Sequence, residues 1–157
     1  MKIGIGYDIH RLEEGRRLVL GGIEIPYAKG LLGHSDGDVI LHSIADAILG
    51  ALGDSDIGHH FPNTDPSLKG MSSIIMLKKV RDLAQAANMR IVNVDCAVIA
   101  EEPKIFPFRE RMIEVISGAL RMNFKDVNIK ATTNEGVGAI GEGDAMASYA
   151  VVLLEGR

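Results

Sequence analysis

Apolar and polar positions divide the 157-residue chain into alternating strand-like and helix-like stretches. Lys2 to Tyr7 alternates with a period near two and predicts a first strand. Arg17 to Pro26 holds two short apolar runs around Gly21-Gly22, the pattern of a tight hairpin. From Asp38 to Leu52 the apolar residues fall at positions 40, 41, 44, 45, 48, 49 and 52, the stripe of an amphipathic helix. Gly53 to Pro66 is rich in turn formers and predicts a loop. Ser72 to Asn88 repeats the helical stripe, with serine near its start. Met89 to Ala100 is long and β-branched and predicts a strand. Pro107 to Met122 predicts a third helix, with Pro107 tolerated in its first turn. Val127 to Thr132 and Met146 to Leu154 predict the last strands, separated by a Gly-rich turn.

This alternation predicts an α/β chain: an α+β sandwich in which helices pack on one face of a mixed β-sheet. No linker, repeat or low-complexity tract interrupts residues 1–157, so one domain is expected. Apolar residues make up 46% of the chain, enough for a proper core. The net charge of −4 argues against a nucleic-acid partner, which selects a basic stripe. No apolar run approaches the roughly 20 residues of a membrane span. The strand-like start MKIGIGYDIH does not read as a leader, so a cytoplasmic location without a membrane partner is expected. Cys96, the one cysteine, lies in an apolar run and reads as a small buried hydrophobe.

Asp8 and His10 stand two apart at a strand end, so they share a face. His42 lies on the polar side of the first long helix, with Asp38 and Asp46 one turn away on either side. A strand end facing a helix can join Asp8, His10 and His42 into a metal site. Two imidazoles and a carboxylate suit zinc, and three protein ligands leave the open position of a catalytic site. Asp46 is placed to orient the His42 imidazole. The plain alternative is a capping aspartate and solvated histidines. Adjacent His59 and His60 read as loop residues near the site.

Gly33 to Asp38 leads into that helix, where unpaired N–H groups attract anions and His34 and Ser35 can donate to a phosphate. The alternative is that Ser35 or Asp36 is simply the N-cap. Ala131-Thr132-Thr133-Asn134-Glu135 follows a strand and precedes four glycines. Its threonines offer phosphate donors, and Glu135 is a hard oxygen ligand for Mg²⁺. The lysine of a P-loop is absent. Lys104, after Pro103, offers a point charge at a strand end.

Together GYDIH (6–10), GLLGHSDGDVILHSIADAILGAL (30–52), DIGHHFPNTDP (56–66), EEPK (101–104) and KATTNEGVG (130–138) closely resemble the 2-C-methyl-D-erythritol 2,4-cyclodiphosphate synthase family, nearly end to end. The resemblance implies ferredoxin-like βαβ units and a homotrimer with active sites between adjacent subunits. It implies a zinc-dependent, CMP-releasing phosphorus–oxygen lyase acting on a cytidine diphosphate substrate in the non-mevalonate isoprenoid pathway. Asp8, His10 and His42 match the zinc ligands, and Glu135 that of a second divalent cation, Mg²⁺ or Mn²⁺. His34 and Thr133 match transition-state stabilisers. Ser35, Asp56, Ile57, Gly58, Phe61 and Asp65 match residues around the methylerythritol phosphate. Ala100, Pro103, Lys104, Ala131, Thr132 and Asn134 match the cytidine and phosphate pocket. Two positions depart: Ala139 where the family often has an aromatic residue, and Glu142 where it has arginine. An anionic Glu142 would repel the isoprenoid diphosphate that relatives can hold near the three-fold axis. The residues read alone also fit a zinc phosphoester hydrolase or a non-catalytic nucleotide-binding module.

Overall fold

The structure is a computed structural model and describes residues 1–156. In chain order the elements are β1 (Lys2–Glu14), β2 (Leu18–Leu20), β3 (Ile23–Ile25), β4 (Lys29–Leu31), α1 (Val39–Leu52), α2 (Ile57–His60), α3 (Ser73–Ala86), β5 (Met89–Ile99), α4 (Arg109–Leu120), β6 (Val127–Thr132), α5 (Gly138–Gly141) and β7 (Ala145–Gly156). Five strands form one sheet in the order β4-β1-β7-β5-β6. Only β5 and β6 run parallel, bracketing α4 as a βαβ unit; the other pairs are antiparallel. The β2-β3 hairpin stands apart as its own two-stranded ribbon.

Helices α1, α3 and α4 cover one face of the sheet and enclose the core, as the alternation of elements predicts. No helix among the described residues is long and apolar enough to cross a membrane. Four elements differ from the sequence reading, one of them α5, a single helical turn within the expected Gly-rich turn. β1 continues seven residues past Tyr7, because its second half finds two partners: residues 8–11 pair with β7 and residues 12–14 with β4. β4 itself carries only three residues, too few for periodicity to register. The expected loop after Gly53 contains α2, a single turn in which the Asp56 side chain caps the His59 N–H.

The N-cap of α1 is Asp38, not Ser35 or Asp36. Gly37 takes a positive φ of 74°, so the chain turns into the helix only after it. The Asp38 carboxylate accepts from Leu41 N–H at 3.1 Å and from Gly21 and Gly22 N–H at 3.0 and 2.7 Å, which ties the hairpin to the helix. Burial pushes its pKa up to about 6, against the hydrogen bonds from Gly22 and Leu41. Cys96 is buried, as its apolar run implies, and burial drives its thiol up to about 12.

The position of α1 follows from two glycines. A Cβ at Gly4 would stand 1.8 Å from the Ala47 carbonyl oxygen, and one at Gly6 would stand 1.9 Å from that of Ser43. Helix backbone therefore lies directly on strand backbone, and neither contact can yield without displacing α1. Gly6→Ala is expected to destabilise the fold by about 3 kcal/mol through overpacking, read as a lower urea midpoint at unchanged slope. An alanine variant of wild-type stability would refute this packing.

Candidate active site

The even-numbered side of β1 faces α1, first through Gly4 and Gly6 and then through Asp8 and His10. Opposite Asp8 stands His42, in the first turns of α1. Asp8 Oδ2 lies 3.1 Å from His10 Nε2 and 2.9 Å from His42 Nδ1. All three donor atoms fall within 4.8 Å of one another. His42 is 5% exposed, so the helix face taken as polar from sequence is turned to the strand and buried.

The surrounding hydrogen bonds bear on whether these atoms suit a cation. His10 Nδ1 meets the Leu32 carbonyl, which only accepts, so Nδ1 carries a proton; Nε2 faces Asp8 and can offer its lone pair once a cation takes the place of the proton shared between them. His42 Nε2 lies 3.1 Å from Ser35 Oγ and 2.9 Å from Ser73 Oγ, leaving Nδ1 toward Asp8. Burial raises the Asp8 pKa, but hydrogen bonds from His10 and His42 outweigh it and hold the carboxyl at about 2. Burial lowers that of His10, but the Asp8 hydrogen bond and charge prevail and raise it. Two imidazole nitrogens and an ionised carboxylate oxygen aimed at one point fit a divalent cation with a remaining open position.

Asp46 does not orient His42. Its Oδ1 accepts from Ile57 N–H at 2.7 Å and ties α1 to α2. Side chains on a helix lean toward its N-terminus, so the His42 ring reaches away from Asp46 toward the 35–38 turn. Ser73 and the Leu32 carbonyl, absent from the sequence reading, take the orienting places. A serine opening a helix reads as a cap, and a carbonyl leaves no mark in a sequence.

A cleft of about 290 Å³ opens over the three donor atoms, lined in part by His34, Ser35, Ile57, Gly58 and Phe61. Asn63, Leu68 and Met76 also line it and were not singled out by sequence. Ser35 is buried, and its hydroxyl accepts from Gly37 N–H at 3.3 Å besides facing His42. Asp56 and Asp65 act as N-caps of α2 and of the 3₁₀ turn Pro66–Leu68. His59 and His60 end α2; His60 pairs with Asp54 at 3.1 Å, and neither joins the three donors.

Ala100, Pro103, Lys104, Ala131, Thr132 and Thr133 line a second cleft of about 200 Å³. Lys104 is exposed and 3.8 Å from Glu102. Asn134 N–H donates to Glu101 at 2.7 Å, and exposed Glu135 takes a positive φ of 52° with its carboxylate accepting from Thr133 Oγ1 at 3.3 Å. The second cleft is not continuous with the first within one chain. Thr132 pairs with Ile99 beside Ala147, at the same end of the sheet as Asp8, but β6 lies three strands from β1. At about 4.8 Å per strand, that is about 14 Å.

The sequence model of the YgbB family matches residues 1–155. The 2-C-methyl-D-erythritol 2,4-cyclodiphosphate synthase of Gloeobacter violaceus is 54% identical over 155 residues, covering 99% of this chain and 95% of that one. The bifunctional IspDF structure from Campylobacter jejuni superposes at a TM-score of 0.96 with 39% identity over 99% of this chain, which spans 42% of the bifunctional one. The CDP complex of IspF from Plasmodium falciparum superposes at 0.87 with 42% identity, covering 99% and 96%.

Protons and a cation compete for the same three atoms. Because Asp8 raises His10 above its ordinary 6.5, the proton competes from a higher pH than at a free histidine. Metal affinity is expected to begin falling above pH 6.5 and to fall steeply below it. Asp8 adds nothing to that loss until far lower pH, since its carboxyl titrates at about 2. Calorimetric titration with Zn²⁺ in buffers of different ionisation enthalpy reads the proton release; affinity independent of pH between 5 and 8 would contradict the assignment of these atoms.

Proposed function

The chain belongs to the YgbB family, and on that premise we propose that it converts 4-diphosphocytidyl-2-C-methyl-D-erythritol 2-phosphate into 2-C-methyl-D-erythritol 2,4-cyclodiphosphate and CMP, as a zinc-dependent lyase of the non-mevalonate isoprenoid pathway. The observation that carries this reading is the convergence of Asp8 Oδ2, His10 Nε2 and His42 Nδ1 at the floor of a cleft walled by His34. Zinc held by these residues supplies Lewis-acid neutralisation of diphosphate charge, and Mg²⁺ or Mn²⁺ at Glu135 completes it.

The reaction joins an oxygen of the substrate's 2-phosphate to the β-phosphorus, breaks that phosphorus's bond to the bridging oxygen, and releases CMP carrying it. A phosphate nucleophile is already ionised near neutral pH, so no side chain need take its proton. The chain's own task is positioning and charge stabilisation. His34 and Ser35 hold the methylerythritol phosphate on one wall, with Asp56, Ile57, Gly58, Phe61 and Asp65 forming the other. Ala100, Pro103, Lys104, Ala131, Thr132 and Asn134 hold the cytidine and its phosphates. Thr133 and His34 donate to the transferring phosphoryl group.

The two clefts face a substrate that must touch both, which favours a site shared between copies. The sheet face opposite the helices supports a homotrimer. Ile3, Ile5, Tyr7 and Ile9 on β1 and Tyr149 and Val151 on β7 stand between 44% and 73% exposed there. A contiguous apolar face of this kind marks a protein interface. The proposal includes one domain over residues 1–157 and a cytoplasmic location, where highly charged intermediates are retained. It includes no isoprenoid ligand, because Glu142 is exposed beside Ala139 at the end of α5.

Incubation with the substrate and Mg²⁺, followed by phosphorus NMR, is expected to yield the cyclic diphosphate with stoichiometric CMP. Thr133→Ala is expected to lower turnover by roughly 10²-fold, and His42→Ala to abolish both zinc binding and turnover. A linear phosphate product would contradict the cyclase and favour a hydrolase. Light scattering is expected to give three chains per particle, and Ile5→Glu to dissociate them; a wild-type monomer with full activity would refute the shared site.

A further inference from the structure

Ser73 opens α3 with no solvent exposure, yet its own helix does not explain its hydroxyl. Ser72 is the N-cap and makes no side-chain cap. The capping group comes from another segment: Asp36 Oδ2 accepts from Ser73 N–H at 2.9 Å, at the positive end of a 14-residue helix. Asp36 Oδ1 takes the Ser73 hydroxyl in a short hydrogen bond and Asp38 N–H at 3.2 Å. Main-chain bonds hold the two segments together, from Asp36 N–H to the Met71 carbonyl and from Gly70 N–H to that of His34.

This arrangement decides what His42 Nε2 faces. A carboxylate only accepts, so the one hydroxyl proton of Ser73 is committed to Asp36. Ser73 Oγ, 2.9 Å from His42 Nε2, can then only accept from that nitrogen. Ser35 Oγ, 3.1 Å from the same nitrogen, imposes no such direction, because its proton is free to turn. Asp8 Oδ2, 2.9 Å from Nδ1, likewise only accepts, so the metal-free ring meets an acceptor at each nitrogen; with Nε2 keeping its proton, Nδ1 is the nitrogen that can turn its lone pair to a cation.

We infer that Asp36 and Ser73 are positioning residues of the metal centre, a carboxylate–serine pair that holds His42 in the tautomer a cation requires; the inference rests on the reading of Asp8, His10 and His42 as ligands. The pair acts through His42 and touches neither metal nor substrate. It also anchors the metal ligand to the start of α3, whose Met76 lines the cleft, so the cation and that wall share one support. The role belongs to a known physical class, in which the group behind a histidine ligand sets its tautomer and basicity.

The test uses the full-length protein, Zn²⁺ as probe, and four forms: wild type, Ser73→Ala, Ser73→Thr and Asp36→Asn. Long-range proton–nitrogen spectra of the metal-free protein read the His42 tautomer, and chelator competition reads zinc affinity. Wild type is expected to carry a proton on Nε2, whatever Nδ1 shares with Asp8. An asparagine at position 36 can cap Ser73 N–H through its oxygen while its amide donates to Ser73 Oγ, which frees the hydroxyl proton to turn toward Nε2. Asp36→Asn is therefore expected to populate the form protonated on Nδ1 alone, and both it and Ser73→Ala to weaken zinc by roughly 10- to 100-fold. Ser73→Thr, which keeps the hydroxyl, is expected to remain within about threefold of wild type on the same grounds. A purely structural role predicts lower melting temperatures with tautomer and zinc affinity unchanged, and that result would overturn the inference. Wild type that binds no zinc would instead refute the ligand reading and the inference with it, a result told apart from the former by the wild-type affinity itself.

Discussion

Helix α1 rests on β1 with no side chains between them at Gly4 and Gly6, and the convergence of Asp8, His10 and His42 is a consequence of that contact. The two elements run in opposite directions. Gly4 meets the backbone at Ala47 and Ala51, and Gly6 meets it at Ser43 and Ala47. Four helical residues rise about 6 Å and two strand residues about 6.6 Å, so helix and strand stay nearly in step. The next inward position on β1 is Asp8, and the next helical turn carries His42. Any side chain on Gly4 or Gly6 would lift the helix and open the distance between Asp8 and His42. The same contact explains why His42 is buried although its helix neighbours suggest a polar stripe.

Much of this was legible in the sequence, because its signals are local. The helical stripe from Ile40 to Leu52, the hairpin around Gly21-Gly22 and the β-branched run from Met89 each encode one element within a few residues. The spacing of Asp8 and His10 placed both on one strand face, and His42 supplied the third donor. What stayed hidden depends on partners distant along the chain. The second half of β1 is a strand because β4 and β7 come to it, and β4 is too short to announce itself. The exchange of Asp46 for Ser73 behind His42 is of the same kind. Helical spacing brings Asp46 near on paper, but the tilt of side chains along the helix axis carries the His42 ring toward a serine 31 residues away. Ser35 and Asp36 were the cap candidates at the helix start, but the positive φ of Gly37 delays the turn into the helix until Asp38, which local sequence did not single out.

Charge is distributed to match the proposed chemistry. The chain carries a net charge of −4, yet its proposed ligand is a multiply phosphorylated anion. Few fixed cations face either cleft: Lys104 is exposed at one, and the other is lined by His10, His34 and His42 with no lysine or arginine among its described lining residues. Anionic substrate binding therefore depends on metal cations, hydroxyls and N–H groups rather than on a basic surface, which gives strong local fields without general affinity for polyanions. The separation of the two clefts across three strands sets a second condition. In the proposed function a second copy brings its Thr132–Thr133 edge to the first copy's cleft, and the exposed apolar sheet face is the surface proposed for that assembly.

The central claim is that three donor atoms from one strand and one helix hold a zinc ion with a position left open. X-ray absorption at the zinc edge on the zinc-loaded protein tests it most directly. The account predicts a four-coordinate shell of two imidazoles, one carboxylate oxygen and one exchangeable light atom at about 2.0–2.2 Å. A shell containing sulfur, or one closed by four protein donors, would contradict it.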